Sequence, residues 1–193
     1  MAGRAGPGRW WLAVWLALAC ALVPAGEPPQ VSVSREGDTY WLRLTVSSTL
    51  PLAEVHRRLT DYAHLDRLSP DITDSRVLAR GADGRVRVRT HVQGCVLFFC
   101  RELTREEWVQ EHSPRFIVTE LDPEGSDFLG GKAVWRLRPT ADGGTHIDYS
   151  AWLRPAFPIP PLIGPPLVRG RLERALRLTA KRLSGPPATA VAP

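Results

Sequence analysis

Apolar and polar residues alternate in the part of the chain that comes after residue 30. In the segment TYWLRLTVSST, every second position carries an apolar or aromatic side chain on the same side: Tyr40, Leu42, Leu44 and Val46. This period of two predicts a half-buried β-strand. The shorter alternation VSVSREGD precedes it, and its Gly-Asp pair predicts a turn that joins the two strands.

The period changes between residues 50 and 70. Leu52, Val55, Leu59 and Tyr62 recur at helical spacing. Pro51 suits the first turn of a helix, and Pro70 ends the helical segment. This stretch therefore predicts short helices.

Strand patterns return after Pro70. Residues 74–92 predict two strands around an Ala-Asp-Gly turn. The second of them directs one set inward, Val86, Val88, Thr90 and Val92, and another set outward, Arg85, Arg87, Arg89 and His91. Four more strands are predicted at 101–112, 115–122, 132–140 and 145–155.

The last periodic segment, residues 165–183, predicts a long helix. Its apolar stripe comprises Val168, Leu172, Ala175, Leu176, Thr179 and Leu183, and its basic residues lie largely on the other side: Arg171, Arg174, Lys181 and Arg182. An antiparallel sheet must cover its apolar face, and only this helix is long enough to do so. The predicted fold class is α+β, a meander of antiparallel strands with one long C-terminal helix.

The N-terminus has the layout of a secretory signal. Arg4 and Arg9 precede an uncharged apolar run from Trp10 to Val23, which is short for a membrane span, and small residues come next. We predict a signal peptide at 1–25, cleaved after Ala25, and a protein exported to the periplasm. One alternative is lipid anchoring through Cys20, because LALAC resembles a lipobox, and another is an uncleaved signal anchor.

Two cysteines bracket four apolar residues in the segment CVLFFC, residues 95–100. In one straight strand their Cα atoms would lie about 16 Å apart, at about 3.3 Å per residue, whereas a disulfide needs them within about 7 Å. The segment therefore either bends back and is closed by a Cys95–Cys100 disulfide, or carries two unrelated buried thiols. An oxidising compartment favours the disulfide.

The amino-acid composition limits which partners are expected. Removing Arg4 and Arg9 with the signal leaves 23 basic against 20 acidic residues, so the net charge falls from +5 to +3. This modest charge does not favour nucleic acid as a partner, and a monomer is expected.

Two cysteines supply half of a tetrahedral zinc shell and no His-x-x-x-His pair accompanies them, so neither metal nor cofactor is predicted. The Pro- and Ala-rich tail, 185–193, is predicted to be disordered.

Two segments resemble the START-like superfamily, also called SRPBCC, the polyketide cyclase/dehydrase and lipid-transport group that includes coenzyme Q-binding START-like proteins. Residues 47–78 carry the first resemblance, with Asp61, Tyr62, Pro70, Ser75, Val77 and Leu78. Residues 125–176 resemble exported bacterial members, with Trp135, Gly144-Thr145, Tyr149 and a proline-rich crossing into the last helix. The resemblance implies a domain at 31–184 with the helix-grip fold and an apolar cavity between sheet and helix. The ribosome-association toxins of this group act in the cytosol, and the export signal argues against that role here.

Candidate ligand-binding residues follow from this implied cavity: Leu44, Phe116, Trp135, Ile147, Tyr149, Leu172 and Leu176. Their alternative role is simply to pack the core. Two apolar loops are candidates for a gate or a membrane contact, and they contain Leu97, Phe98, Phe99, Phe157, Ile159, Leu162 and Ile163. A proline-dense backbone cannot join a sheet ladder, so the second loop is expected to be a stiff crossing.

No combination of residues in the sequence points firmly to catalysis. The fingerprints Gly-x-Ser-x-Gly, the phosphate loop and the dinucleotide motif are missing from the sequence. His146 and Asp148 share a strand face and are the one weak acid/base candidate. The leading hypothesis is therefore non-enzymatic binding or transport of a hydrophobic molecule, such as a lipid, a quinone or a polyketide-like compound, in the cell envelope. A polyketide cyclase/dehydratase-like enzyme and a protein-interaction module are the alternatives.

Overall fold

The structure is a computed structural model that describes residues 27–96, 99–159 and 164–185. Its strands are β1 (Gln30–Glu36), β2 (Thr39–Ser48), β3 (Ile72–Arg80), β4 (Val86–Val96), β5 (Phe99–Ser113), β6 (Phe116–Leu121), β7 (Phe128–Pro139) and β8 (Thr145–Pro155). Its helices are α1 (Leu52–Leu59) and α2 (Gly164–Leu183), and short 3-10 turns lie at Leu65–Arg67 and Pro123–Gly125. Each element matches a predicted one to within a few residues, apart from the 3-10 turn at Pro123–Gly125.

The eight strands form a single antiparallel sheet in the order β1-β2-β8-β7-β6-β5-β4-β3. Strands β3 to β8 are a meander, because each pairs with the strand next in sequence. The β1–β2 hairpin then joins the far edge through pairing of β2 with β8. The predicted hairpins explain the β1–β2 pair and the meander, since short turns favour antiparallel neighbours, whereas the pairing of β2 with β8 was not predicted.

Glycines allow the tight turns that the sequence predicts. Gly37 joins β1 to β2 with φ +57°, and Gly84 joins β3 to β4 with φ +80°. An L side chain rarely adopts such angles, whereas glycine does so without a steric penalty. These turns set the register of both hairpins, with Glu36 opposite Thr39 and Arg80 opposite Val86.

Helix α2 lies against the sheet and contacts β1, β2 and β4. Its predicted apolar stripe is confirmed, since Leu176 and Leu183 are buried and Val168 and Leu172 pack against the core. The end of the helix is tied to β2, because the Ser48 hydroxyl donates a hydrogen bond of 2.5 Å to the Leu183 carbonyl. This arrangement is the predicted helix-grip fold.

The opposite face of the sheet holds an ion-pair cluster. Arg87 and Arg89 point away from α2, as predicted, and both pair with Glu106, of which only 2% is exposed. Arg87 also pairs with Asp122 at 2.7 Å. The 3-10 turn that contains Gly125 packs on the Glu106 carboxylate. Arg87 and Arg89 are therefore part of an ion-pair network around a buried carboxylate.

Candidate ligand cavity

A cavity of about 470 Å³ lies between the sheet and α2. Its lining is mostly apolar and comes from β2 to β8, from α1, from the segment between α1 and β3, from residues after β8, and from α2. A curved sheet that holds one helix leaves such a space wherever side chains do not fill it. Cavities of this volume and character are typical of small-molecule sites.

A second depression, of about 570 Å³, lies between the β1–β2 turn and the start of α2. It is an open surface groove, with Arg35, Asp38 and Arg169 among its few lining residues. Although it is larger, it offers no enclosed apolar wall. The cavity beneath α2 is therefore the candidate functional site.

Tyr149 and Trp135 form an aromatic part of the cavity wall. They are directly opposite each other on β8 and β7, and their ring centroids are 4.2 Å apart. Burial raises the pKa of the Tyr149 phenol to about 12, against a smaller opposing effect of the Arg105 charge. The hydroxyl is therefore protonated at neutral pH and available as a hydrogen-bond donor.

Strand β5 brings charged side chains into the same wall. Arg105 and Glu107 both line the cavity and form an ion pair, with 3.2 Å between Nη2 and Oε2. The Thr119 hydroxyl on β6 donates to Glu107 at 3.4 Å. The Arg105 Nε–H is buried and has no hydrogen-bond partner among the described residues.

Sequence reasoning missed Arg105, Glu107 and Thr119. The alternation in RELTREEWV places Arg101, Leu103, Arg105, Glu107 and Val109 on one face, but the other face also carries charged residues, Glu102 and Glu106. Hydrophobic alternation therefore did not show which face of β5 points inward. The only usable signal was the presence of Leu103 and Val109 on the face that turned out to line the cavity.

The end of the cavity next to Gly94 of β4 and Arg101 of β5 is bordered by two arginines. Arg101 pairs with Asp127 at 3.0 Å, and its guanidinium lies 5.1 Å from the centroid of the Phe157 ring. Arg171 of α2 pairs with Asp71 at 2.6 Å, a contact that ties the helix to the start of β3. Arg171 was predicted on the outer side of α2, and its position in the cavity lining corrects that prediction.

The α1 end of the cavity is closed by Tyr62. Its hydroxyl donates a 2.7 Å hydrogen bond to Glu111 of β5, and His56 of α1 lies 3.0 Å from the same carboxylate. Burial and the hydrogen bond to Glu111 raise the pKa of Tyr62 well above its usual range. The contact between His56 and Glu111 holds α1 against the sheet.

Four of the seven predicted ligand-binding residues line the cavity: Trp135, Tyr149, Leu172 and Leu176. Leu44 and Ile147 are fully buried and belong to the packed core instead of the cavity lining. Phe116 lies on the other face of the sheet, where its ring contacts His112 and Arg136, so its placement inside the cavity is wrong. Its neighbour Ile117 points inward and lines the cavity.

The predicted gate residues divide between described and undescribed parts of the chain. Phe157 and Ile159 line the cavity next to α2. Leu97, Phe98, Leu162 and Ile163 lie outside the described residues, as does the side chain of Phe99. A gate or membrane contact at these loops stays a prediction.

The segment CVLFFC turns back on itself between β4 and β5. Cys95 is opposite Cys100, and Val96 is opposite Phe99, in the antiparallel register. Directly opposed residues in antiparallel strands have Cα atoms about 4.5 to 5.5 Å apart, which lies within the range that a disulfide bridges. The predicted bend is confirmed at the level of the backbone.

His146 and Asp148, the weak acid/base candidate, are 3.5 Å apart but do not line the cavity. Asp148 instead pairs with Arg138 at 2.5 Å and accepts a hydrogen bond from Thr45 at 3.3 Å. These contacts belong to the outer face of the sheet. The pair is therefore not placed to act on a molecule in the cavity.

Comparison with known families assigns the chain to one family. The family described as polyketide cyclase / dehydrase and lipid transport matches residues 42–184, which is most of the chain. The protein therefore belongs to this START-like family, as the sequence resemblance implied. A comparison with curated protein sequences found no match.

Solved structures share the fold. A START superfamily protein from Mycobacterium smegmatis aligns with a TM-score of 0.61 at 20% identity, over 75% of this chain and 94% of that one. A STAR-related lipid transfer protein from Xanthomonas axonopodis aligns with a TM-score of 0.58 at 17% identity, over 80% and 99%. An aromatase/cyclase from Streptomyces aligns with a TM-score of 0.54 at 16% identity, over 75% and 88%. At these identities the similarity concerns the fold alone.

The described residues contain neither a membrane-spanning helix nor a metal-binding cluster. Neither α1 nor α2 is both long and apolar enough to cross a membrane. Within the described ranges, no group of three or more His, Cys, Asp or Glu residues is arranged to hold a metal ion.

Proposed function

We propose that this protein binds a hydrophobic small molecule in the cavity beneath α2, and that it carries or presents this molecule without converting it. The observation that carries the proposal is the cavity itself, about 470 Å³ in volume and mostly apolar in its lining. Removing apolar surface from water stabilises a bound ligand by roughly 25 cal/mol per Å² buried. The family's association with lipid transport supports the same function.

The proposed setting is the cell envelope. It rests on the signal-like segment at 1–25 and on the apolar residues of the two loops near the cavity. The opposed positions of Cys95 and Cys100 support a disulfide between them, which would be stable in an oxidising compartment. Phe157 and Ile159, next to the exposed Arg101, suit contact with a membrane surface that carries anionic headgroups.

Native mass spectrometry of the mature chain, purified from the periplasm of its own host, tests the proposal. We expect one apolar molecule per protein, which solvent extraction then identifies. An empty protein that also fails to take up added phospholipids, quinones and fatty acids would contradict the binding function.

A matched pair of variants locates the ligand. Ala175 faces the cavity from α2, whereas Arg177 is exposed on the same helix. Ala175→Phe fills part of the cavity and should abolish the stoichiometric ligand, and Arg177→Phe adds the same ring outside it and should retain the ligand. Equal retention by both variants would place the ligand elsewhere.

An enzymatic function is the second candidate, and one observation favours it. Tyr149, Arg105 and Glu107 place a neutral donor, a cation and a carboxylate in the wall of the same cavity. Such groups can transfer or stabilise protons during cyclisation of a polyketide. Turnover of an unreduced polyketide that is lost in Tyr149→Phe but kept in Tyr40→Phe would favour this function over simple binding.

A further inference from the structure

The sheet side of the cavity wall contains a polar cluster formed by Arg105 and Glu107 on β5, Thr119 on β6 and Tyr149 on β8. The surface that α2 presents to the cavity includes the apolar residues Leu172 and Leu176. The same helix also contributes Thr179 and Arg171, and Arg171 pairs with Asp71 at 2.6 Å. A ligand that packs on Leu172 and Leu176 would therefore meet these polar groups on the sheet side. This asymmetry indicates a molecule with an apolar body and one polar point.

The charges in this cluster balance. Arg105 and Glu107 pair at 3.2 Å, so together they add no net charge to the cavity wall. An anionic ligand group would be attracted to Arg105 but repelled by Glu107. A cationic group would be attracted to Glu107 but repelled by Arg105. Burying an uncompensated charge is costly, so the balanced pair favours a neutral ligand.

The hydrogen-bonding capacity of the cluster is weighted toward donors. Thr119 already donates to Glu107. The Arg105 Nε–H is buried without a partner among the described residues, and arginine has no acceptor. The Tyr149 hydroxyl is protonated at neutral pH, and burial raises its pKa further. Buried donors without partners are unfavourable, so the cluster is suited to an acceptor on the ligand.

We propose that the ligand is a neutral, mainly apolar molecule whose carbonyl-type oxygen accepts hydrogen bonds from Arg105 and Tyr149. This inference rests on the function proposed above. A volume of about 470 Å³ lies in the lower part of the 300–1,000 Å³ range typical of small-molecule sites, which suits one compact ligand.

Three tricyclic probes of nearly equal shape test the inference: fluorene, fluorenone and fluorene carboxylate. They offer no acceptor, a neutral carbonyl and an anionic group, respectively. Titration of each into delipidated mature protein should show that fluorenone binds about tenfold more tightly than fluorene, as expected for a hydrogen bond to a charged donor. The carboxylate should bind more weakly than fluorenone.

Variants assign the preference to the cluster. Tyr149→Phe removes one donor, and the double change Arg105→Met with Glu107→Gln removes the pair while keeping the charge balance. Each should reduce the ratio of fluorenone affinity to fluorene affinity severalfold. The control Tyr40→Phe alters a buried tyrosine that does not line the cavity and should keep the full preference.

The outcomes separate the two proposals. Equal affinity of the native protein for fluorene and fluorenone would overturn the acceptor inference and leave hydrophobic binding intact. Tighter binding of fluorene carboxylate than of fluorenone would overturn the inference that the ligand is neutral. A preference unchanged in both Tyr149→Phe and the double variant would remove the assignment to this cluster. Failure of all three probes, together with an empty native protein, would overturn the proposed function as well.

Discussion

Glu106 is a buried carboxylate whose replacement should be costly. It lies on β5 with 2% of its side chain exposed. Its Oε1 accepts a 2.6 Å hydrogen bond from Arg89 Nε, and its Oε2 is 2.9 Å from Arg87 Nη2. Glu106→Gln keeps the size of the side chain but removes its negative charge and one acceptor oxygen, so the two guanidinium groups lose their shared counter-charge.

The expected loss follows from the burial of each partner. Removing one member of a buried ion pair typically costs about 3 to 5 kcal/mol, because the remaining charge is left uncompensated. Here the side chains of Arg87 and Arg89 are 31% and 39% exposed, so water compensates part of their charge. Arg87 also keeps its contact with Asp122. We therefore expect Glu106→Gln to lower the free energy of unfolding by about 2 to 3 kcal/mol.

Urea unfolding followed by circular dichroism measures this loss. Glu102→Gln is the matched control, since Glu102 lies on the same strand and the same face, pairs with His91, and is 63% exposed. The control should change stability by less than about 1 kcal/mol. A Glu106→Gln variant as stable as the control, with an unchanged m-value, would refute the reasoning that the cluster is a stabilising network around a buried carboxylate.

Three further predictions concern the rest of the fold. Thiol counting on mature protein denatured without reductant should detect neither Cys95 nor Cys100, and two titratable thiols would disprove the disulfide. Tyr40→Phe should leave stability unchanged or raise it by up to about 1 kcal/mol, because the Tyr40 hydroxyl is buried without a partner among the described residues; a clear loss in urea unfolding would contradict this. Hydrogen bonds from Arg57 lower the pKa of Glu54 to about 2 from its ordinary 4.5, so its stabilising charge is present above pH 4.5 and lost as the pH falls toward 2. The stability difference between the native protein and Glu54→Gln should therefore disappear over that interval, and a difference independent of pH would exclude this origin.

Most of the elements were predictable because each depends on local patterns. The period of two in β2 and the stripe on α2 record which side of each element is buried. The turns at Gly37 and Gly84 follow from residues that tolerate positive φ. A meander of hairpins needs little information from distant parts of the chain, so its strand order was also accessible.

The errors occurred where local patterns were ambiguous. β6 contains Phe116, Ile117 and Val118 in succession, so alternation alone did not indicate which of them faces inward. Ile117 took the inner position, because β6 pairs with β5 and β7 in a register that places it opposite Glu111 and Trp135. That register depends on three strands together.

The sequence by itself determined the elements, the antiparallel meander and the helix that covers it, because hydrophobic periodicity and turn residues act over a few positions. The pairing of β2 with β8 was decided by the tertiary structure. The tertiary structure alone decided which apolar residues are core and which line the cavity. Leu44 and Tyr149 are opposite each other on β2 and β8, yet only Tyr149 faces the open space. The pairing of Arg105 and Glu107 inside that space was likewise decided by the tertiary structure. Whether a side chain meets a neighbour or a void depends on the curvature of the whole sheet around α2.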